Sequence, residues 1–108
     1  MVKIVIQETL YETWRPVVER EVNLALGAVR ESGRQFRIRF YSDVEARTSD
    51  LVFCCDVLVS DGSNRTQRFE ARHSDGQVAI RNALNRVRRD QVRRTSFSRS
   101  PMTSQGQY

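Results

Sequence analysis

The chain switches between two hydrophobic periodicities, and the switch points divide it into elements. Residues 2–7, VKIVIQ, are rich in β-branched side chains and alternate loosely, as a strand does. From 13 to 31 the apolar positions move to helical spacing, with Val18, Val22, Ala25, Leu26 and Val29 on one stripe. Thr13 is placed to cap that helix. Pro16 then falls in its first turn, where a missing N–H is harmless, and Gly33 stands just past its end. Residues 35–41, QFRIRFY, alternate strictly: Phe36, Ile38 and Phe40 face one way, Arg37, Arg39 and Tyr41 the other. Residues 42–50 are polar and predict a loop. LVFCCDVLV at 51–59 predicts a third strand, DGSN at 61–64 a hairpin turn, and TQRFEARH at 66–73 a returning fourth strand. In that last strand Phe69 and Ala71 point inward, Arg68, Glu70 and Arg72 outward. Ser74 or Asp75 can cap a final helix, whose inner stripe is Ile80, Ala83, Leu84 and Val87 with Gln91 as a weak extension.

The predicted order is βαβββα. The first βαβ unit joins parallel strands, and the later strands follow by short links and pair antiparallel. The expected fold class is therefore α+β, with two helices packed on one face of a four-stranded mixed sheet. The other face is left open and carries Lys3, Arg37, Arg39, Tyr41, Arg68 and Arg72. Residues 1–95 form the one expected domain. The segment 96–108, SFSRSPMTSQGQY, has too few apolar groups to offset its ordering entropy and is expected to be a disordered tail.

Charge changes this picture from a generic small domain to a polarised one. The net charge is +5 over 108 residues. Residues 81–108 hold seven arginines and one aspartate, which leaves 11 basic and 12 acidic side chains for residues 1–80. The whole excess lies in the last quarter, which points to a polyanionic partner. Lys3 is the one lysine among 18 basic residues. Arginine's planar fork suits phosphate, although codon bias can also favour it.

Catalytic chemistry finds little support. Cys54 and Cys55 are adjacent, so in a strand they point to opposite faces and are expected as half-buried strand residues without a disulfide. There is one histidine, His73, at a strand-to-helix junction, where a surface or capping role fits better than a catalytic one. No phosphate-loop pattern, metal-ligand spacing or cofactor motif occurs, so no cofactor and no small-molecule substrate are expected. No apolar run is long enough to cross a membrane, and the first residues lack a secretory signal, so a cytoplasmic protein is expected.

The densest signal is NRVRRDQVRR at 85–94. At 100° per residue Arg86, Arg89 and Arg93 fall within about 60° of one another, opposite the apolar stripe. Arg81 and Arg88 flank them on a second exposed strip, and Arg94 follows. A solvated helix end needs only a few cations to complement its dipole. The run from Arg81 to Arg94 exceeds that. A membrane-surface helix needs bulky apolar anchors opposite its cations, and here that side is claimed by the core. A phosphate backbone is the better partner, and a shape reader of structured RNA the simplest account.

The βαβββα order and the stretch DGQVAIRNALNRVRRDQVRR also resemble the ribosome hibernation promoting factors, known too as ribosome-associated inhibitor or sigma-54 modulation proteins. The matching positions are Asp75 as acidic cap, Ala79-Ile80, Asn85-Arg86, and then Arg89 and Arg93, with Thr13 where the family tends to cap its first helix. The resemblance covers residues 2 to about 94, in the short form without a second domain. It implies a non-enzymatic stress factor that binds small-subunit rRNA near the decoding region and inhibits translation in idle ribosomes. Arg86, Arg89 and Arg93 would then neutralise rRNA phosphates, aided by Arg81, Arg88 and Arg94, with Lys3, Arg37 and Arg39 as a second contact. The chain is expected to be monomeric off the ribosome. Three other readings remain: a basic module docking an acidic protein partner, a divergent member bound to another structured RNA, and a small enzyme using Cys54 or His73.

Overall fold

The computed structural model describes residues 2–27, 33–62 and 65–99, with residues 92–99 as backbone alone. Strand β1 (Val2–Ile6) leads through a 3-10 turn (Glu8–Leu10) into helix α1 (Tyr11–Leu26). Strands β2 (Gln35–Val44), β3 (Leu51–Ser60) and β4 (Thr66–His73) follow, and helix α2 (Gly76–Arg99) closes the order. The sheet runs β1-β2-β3-β4, with β1 parallel to β2 and the other pairs antiparallel. This is the expected α+β fold.

Alternation sets the register. Phe36, Ile38 and Phe40 stand opposite Val59, Val57 and Cys55 on the neighbouring strand, and Val2, Ile4 and Ile6 stand opposite Phe36, Ile38 and Phe40 on the other side. All of these positions face one way, and there they meet Val18, Val22 and Leu26 of α1 and Ile80, Ala83, Leu84 and Val87 of α2 in a single core. Slipping β2 by one residue would bury Arg37 and Arg39 in that core, so the register is strongly specified. Phe69 is half-buried at the edge of this core, and Ala71 is buried within it.

Helix α1 starts earlier than its sequence suggested, and Thr13 is not its cap. Leu10 occupies the cap position and makes no side-chain capping bond. The helix is instead launched by Gln7, which is anchored to β2. Its N–H donates to the Phe40 carbonyl at 3.0 Å, and its Oε1 accepts from the Ser42 N–H at 2.8 Å. Its carbonyl then accepts from Leu10 N–H at 2.9 Å, closing the 3-10 turn. Pro16 consequently sits in the second helical turn, not the first. It removes one bond to the carbonyl of Glu12, an exposed residue whose carbonyl lies on the wet side of the helix. The expected helix end at 31 lies outside the described residues. Gly33 takes φ 83°, the left-handed conformation that suits a chain reversal before β2.

Trp14 explains a glycine that periodicity alone does not. Its ring packs against Phe40 and Phe53 at centroid distances of 5.0 and 5.2 Å. Gly76, at the start of α2, lies directly against this indole, and a Cβ there would overlap it. The cap of α2 is Asp75, whose Oδ1 accepts from Gln77 N–H at 3.0 Å and Val78 N–H at 3.3 Å.

Other element boundaries also differ from expectation. Strand β2 continues to Val44 and β3 to Ser60, so the loop shrinks to 45–50 and the hairpin projects past its neighbours. Ser42, Asp43 and the exposed Val44 still pair, because strand pairing needs backbone partners and tolerates polar side chains. Helix α2 runs on to Arg99, past the expected boundary at 95, since no glycine or proline interrupts it before Pro101. The remainder of the expected tail, 100–108, lies outside the described residues. No helix among the described residues is long and apolar enough to cross a membrane.

Candidate nucleic-acid interface

Helix α2 sorts its residues by face. Ile80, Ala83, Leu84, Val87 and Gln91 are buried, whereas Arg81, Arg86, Arg88 and Arg89 are exposed. The arginines divide into the two strips the helical angle predicts, and the strips differ in what they touch. Arg81 faces α1. Its Nε and Nη2 donate to the two oxygens of Glu21 at 3.1 and 3.3 Å. Glu21 is only 6% exposed and also accepts from Gln77 Nε2 at 3.2 Å. Burial pushes the Glu21 carboxyl up, but the bonds from Arg81 and Gln77 and the charges of Arg81 and Arg20 outweigh it, leaving the group below its ordinary value. Arg81 therefore joins the helices, and its charge is largely neutralised. Arg88 lies one turn and three residues further along the same side, above a cleft with Leu24 and Ala25. No carboxylate lies within ion-pair distance of it among the described residues.

The second strip leans over β4. Arg86 Nη1 donates to the Glu70 carbonyl at 2.6 Å, covering one of the backbone acceptors on this edge strand. Arg89 lies beside it over Phe69 and makes a long bond of 3.4 Å to the Asn85 carbonyl. The side chains of Arg93 and Arg94 lie outside the described residues.

The helix-free sheet face is less uniformly cationic than its sequence suggested. Arg37, Arg39, Arg68 and Arg72 are all exposed there, as is Lys3. Three of the arginines meet carboxylates. Asp56, in the middle of β3, is 1% exposed and holds Arg68 at 3.0 Å and Arg39 at 4.0 Å. Arg68 also reaches Glu70 at 3.0 Å, and Arg72 reaches Asp43 at 3.5 Å. The charge of Asp56 and its hydrogen bond raise the Arg68 guanidinium above its ordinary value. One oxygen of Asp56, Oδ1, is buried and finds no hydrogen-bond partner among the described residues. Arg39 also lies over the Tyr41 ring at 5.4 Å. Among the described residues Lys3 and Arg37 have no carboxylate partner, so the uncompensated charge on this face gathers at one end.

The structure therefore brings together Arg86 and Arg89 on one strip of α2, leaves Arg88 exposed on the other, and separately brings together Lys3 and Arg37 on the sheet. It diverts Arg81, and partly Arg39, into internal ion pairs. The acids that do this were visible but unused in the sequence. Asp56 interrupts the apolar run LVFCCDVLV, and Glu21 falls on the apolar stripe between Val18 and Val22.

The thiols and the histidine have other roles. Cys54 and Cys55 are both fully buried, more than the half-burial expected of them, because Cys54 lies beneath the long side chains of the sheet face. Burial pushes Cys55 up to about 12 and raises Cys54 as well. His73 Nδ1 accepts from Asp75 N–H at 2.9 Å and so steadies the cap of α2. Among the described residues no cluster of His, Cys, Asp or Glu is arranged to hold a metal ion.

No protein-family sequence model matches the chain, and neither does any curated protein sequence. Solved structures do. The N-terminal domain of Protein Y from Thermus thermophilus superposes with a TM-score of 0.55 at 17% identity, covering 86% of this chain and 94% of that one. A ribosomal subunit interface protein from Coxiella burnetii superposes with a TM-score of 0.59 at 13% identity, covering 88% of this chain and 97% of that one. At these identities the likeness is one of fold. It spans nearly all of both domains, and it is the fold that the sequence resemblance implied.

Proposed function

We propose that this is a non-enzymatic ribosome-binding protein that seats α2 on small-subunit rRNA near the decoding region and holds back translation in idle ribosomes. The observation that carries this reading is the outer surface of α2. Arg86, Arg88 and Arg89 stand exposed there while the neighbouring Leu84 and Val87 are fully buried, so the helix presents cations on a rigid support. The fold likeness to a ribosomal subunit interface protein supports the choice of polyanion. The decoding-region site and the role in stressed cells rest on the family resemblance of residues 75–93.

The enzyme reading is weakened by the thiols. A nucleophilic cysteine needs a lowered pKa, and both are raised by burial. His73 spends its Nδ1 lone pair on the helix cap. Sedimentation of the protein with purified small ribosomal subunits tests the proposal. It should travel with the subunit at near-physiological salt, be displaced by mRNA and tRNA, and survive an excess of acidic protein. Loss to the acidic protein, or failure to sediment with subunits, would instead favour a module for acidic protein partners.

A further inference from the structure

Two neighbouring rows of the sheet's helix-free face form a groove that α2 does not touch. One row is Lys3, Arg37 and Leu58, aligned across β1, β2 and β3. The next is Gln35, Ser60 and Thr66, aligned across β2, β3 and β4. Together these six line a groove of about 340 Å³, at the small end of the roughly 300–1,000 Å³ typical of ligand pockets. Its chemistry is graded. At one side stand two exposed cations without a carboxylate partner among the described residues. Leu58, half-buried, supplies an apolar floor. Beyond it come two hydroxyls and an amide, groups that both donate and accept. The acids of this face, Asp43, Asp56 and Glu70, are engaged elsewhere by Arg72 and Arg68.

We propose that this groove is a subsite for one unpaired nucleotide of an RNA strand. Lys3 and Arg37 take its phosphate, Leu58 lies under the base, and Gln35, Ser60 and Thr66 meet the base edge or sugar hydroxyls. A duplex keeps its bases stacked inside, so only a splayed-out nucleotide fills the apolar middle of such a site. The inference rests on the reading that the partner is RNA, and names what the sheet adds to it. The position of the groove fits that reading. Gln35 follows Arg34, whose Nη1 donates to Gln91 Oε1 of α2 at 2.7 Å. The groove and the arginine-rich half of α2 therefore lie at the same end of the molecule on opposite faces of the sheet, and a strand leaving the groove over that end runs toward α2. α2 is then the element that holds phosphate backbone regardless of pairing, and the groove the element that requires an unpaired base.

Fluorescence anisotropy with a labelled single-stranded RNA of about ten nucleotides, and with a duplex RNA of the same length, tests this on the full chain. The single strand should bind the parent. Lys3→Gln with Arg37→Gln should weaken single-strand binding about tenfold and lower the slope of log affinity against log salt by about 1.4, at roughly 0.7 per contact. Duplex binding should change less than about twofold. Ser60→Ala with Thr66→Ala should weaken single-strand binding without altering the slope, since no charge is removed. Circular dichroism of each variant should match the parent, because all four side chains lie on the wet face. If the parent ignores the single strand, or the Lys3 and Arg37 variant binds it with unchanged affinity and slope, the groove is not a nucleotide site. The ribosome reading fails separately. A parent that binds the single strand but not small subunits keeps the groove and loses that reading, whereas subunit binding untouched by the groove variants does the reverse.

Discussion

The guanidinium of Arg34 donates to Oε1 of Gln91 across 2.7 Å, tying the segment before β2 to the inner side of α2. Gln91 is 1% exposed, on the same stripe as Leu84 and Val87. A buried amide with a charged donor specifies where α2 crosses the sheet end, which a leucine at that position would not. Gln91→Ala should therefore lower the unfolding free energy by about 1–3 kcal/mol, since it removes a charge-assisted bond and the packing of a fully buried side chain. Urea denaturation measures it. A loss within a few tenths of a kcal/mol would show that the bond forms without fixing the helix.

The Glu21–Arg81 pair gives the fold an acid-sensitive joint. The Glu21 carboxyl lies below its ordinary value of 4.5 in the folded chain. A carboxylate with a depressed folded-state value contributes stability that is present above its unfolded value and lost as pH falls through the folded one. Stability should thus decline below about pH 4.5, and Glu21→Gln should show a shallower decline over that interval. Thermal melts from neutral to acid pH measure the difference. Equal slopes for parent and variant would remove Glu21 as a source of the acid response.

Gly76→Ala separates helix propensity from packing. Alanine is the better helix former by about 1 kcal/mol. Yet its methyl group would overlap the Trp14 ring, which is itself packed against the stacked rings of Phe40 and Phe53. Overpacking of this kind costs about 1–3 kcal/mol, so the variant should melt lower than the parent. A higher melting temperature would mean that the indole moves aside freely.

Both cysteines should be silent toward a thiol reagent in the native protein. Cys54 and Cys55 are fully buried, and burial raises both thiols, Cys55 to about 12. Reaction with a chromogenic disulfide at neutral pH should wait for denaturant. Fast labelling of either residue without denaturant would reopen a chemical role for it.

Much of this architecture was legible in the sequence because its signals were periodic. The alternation of Phe36, Ile38 and Phe40 fixed a face, and the stripe from Ile80 to Val87 fixed a helix side. Capping was less legible. Thr13 has the right chemistry, but the entry to α1 is decided by Gln7 and its bonds to β2, residues far away in sequence. The end of β2 was missed because Ser42 and Asp43 are polar while their backbones, and that of Val44, still pair. At the candidate interface, counting arginines pointed to the exposed cations of α2 but took no account of the acids that pair with those of the sheet. Which cations remain available depends on cross-strand acids such as Asp56, and sequence spacing says nothing about who sits opposite whom.

The central claim is that exposed arginines of α2 hold rRNA phosphates, and the salt dependence of binding to purified small ribosomal subunits tests it most directly. Arg86, Arg88 and Arg89, replaced together by glutamine, should leave α2 folded because Leu84 and Val87 still carry its packing. Arg86 also covers the Glu70 carbonyl, so parent and variant are first compared by gel filtration for any change in assembly state. Subunit binding should be much weaker and the slope of log affinity against log salt smaller by about 2 to 3, at roughly 0.7 to 0.9 per contact. A variant that binds small subunits with the parent's affinity and the parent's slope would contradict it, leaving the arginine surface of α2 as a solvated helix side.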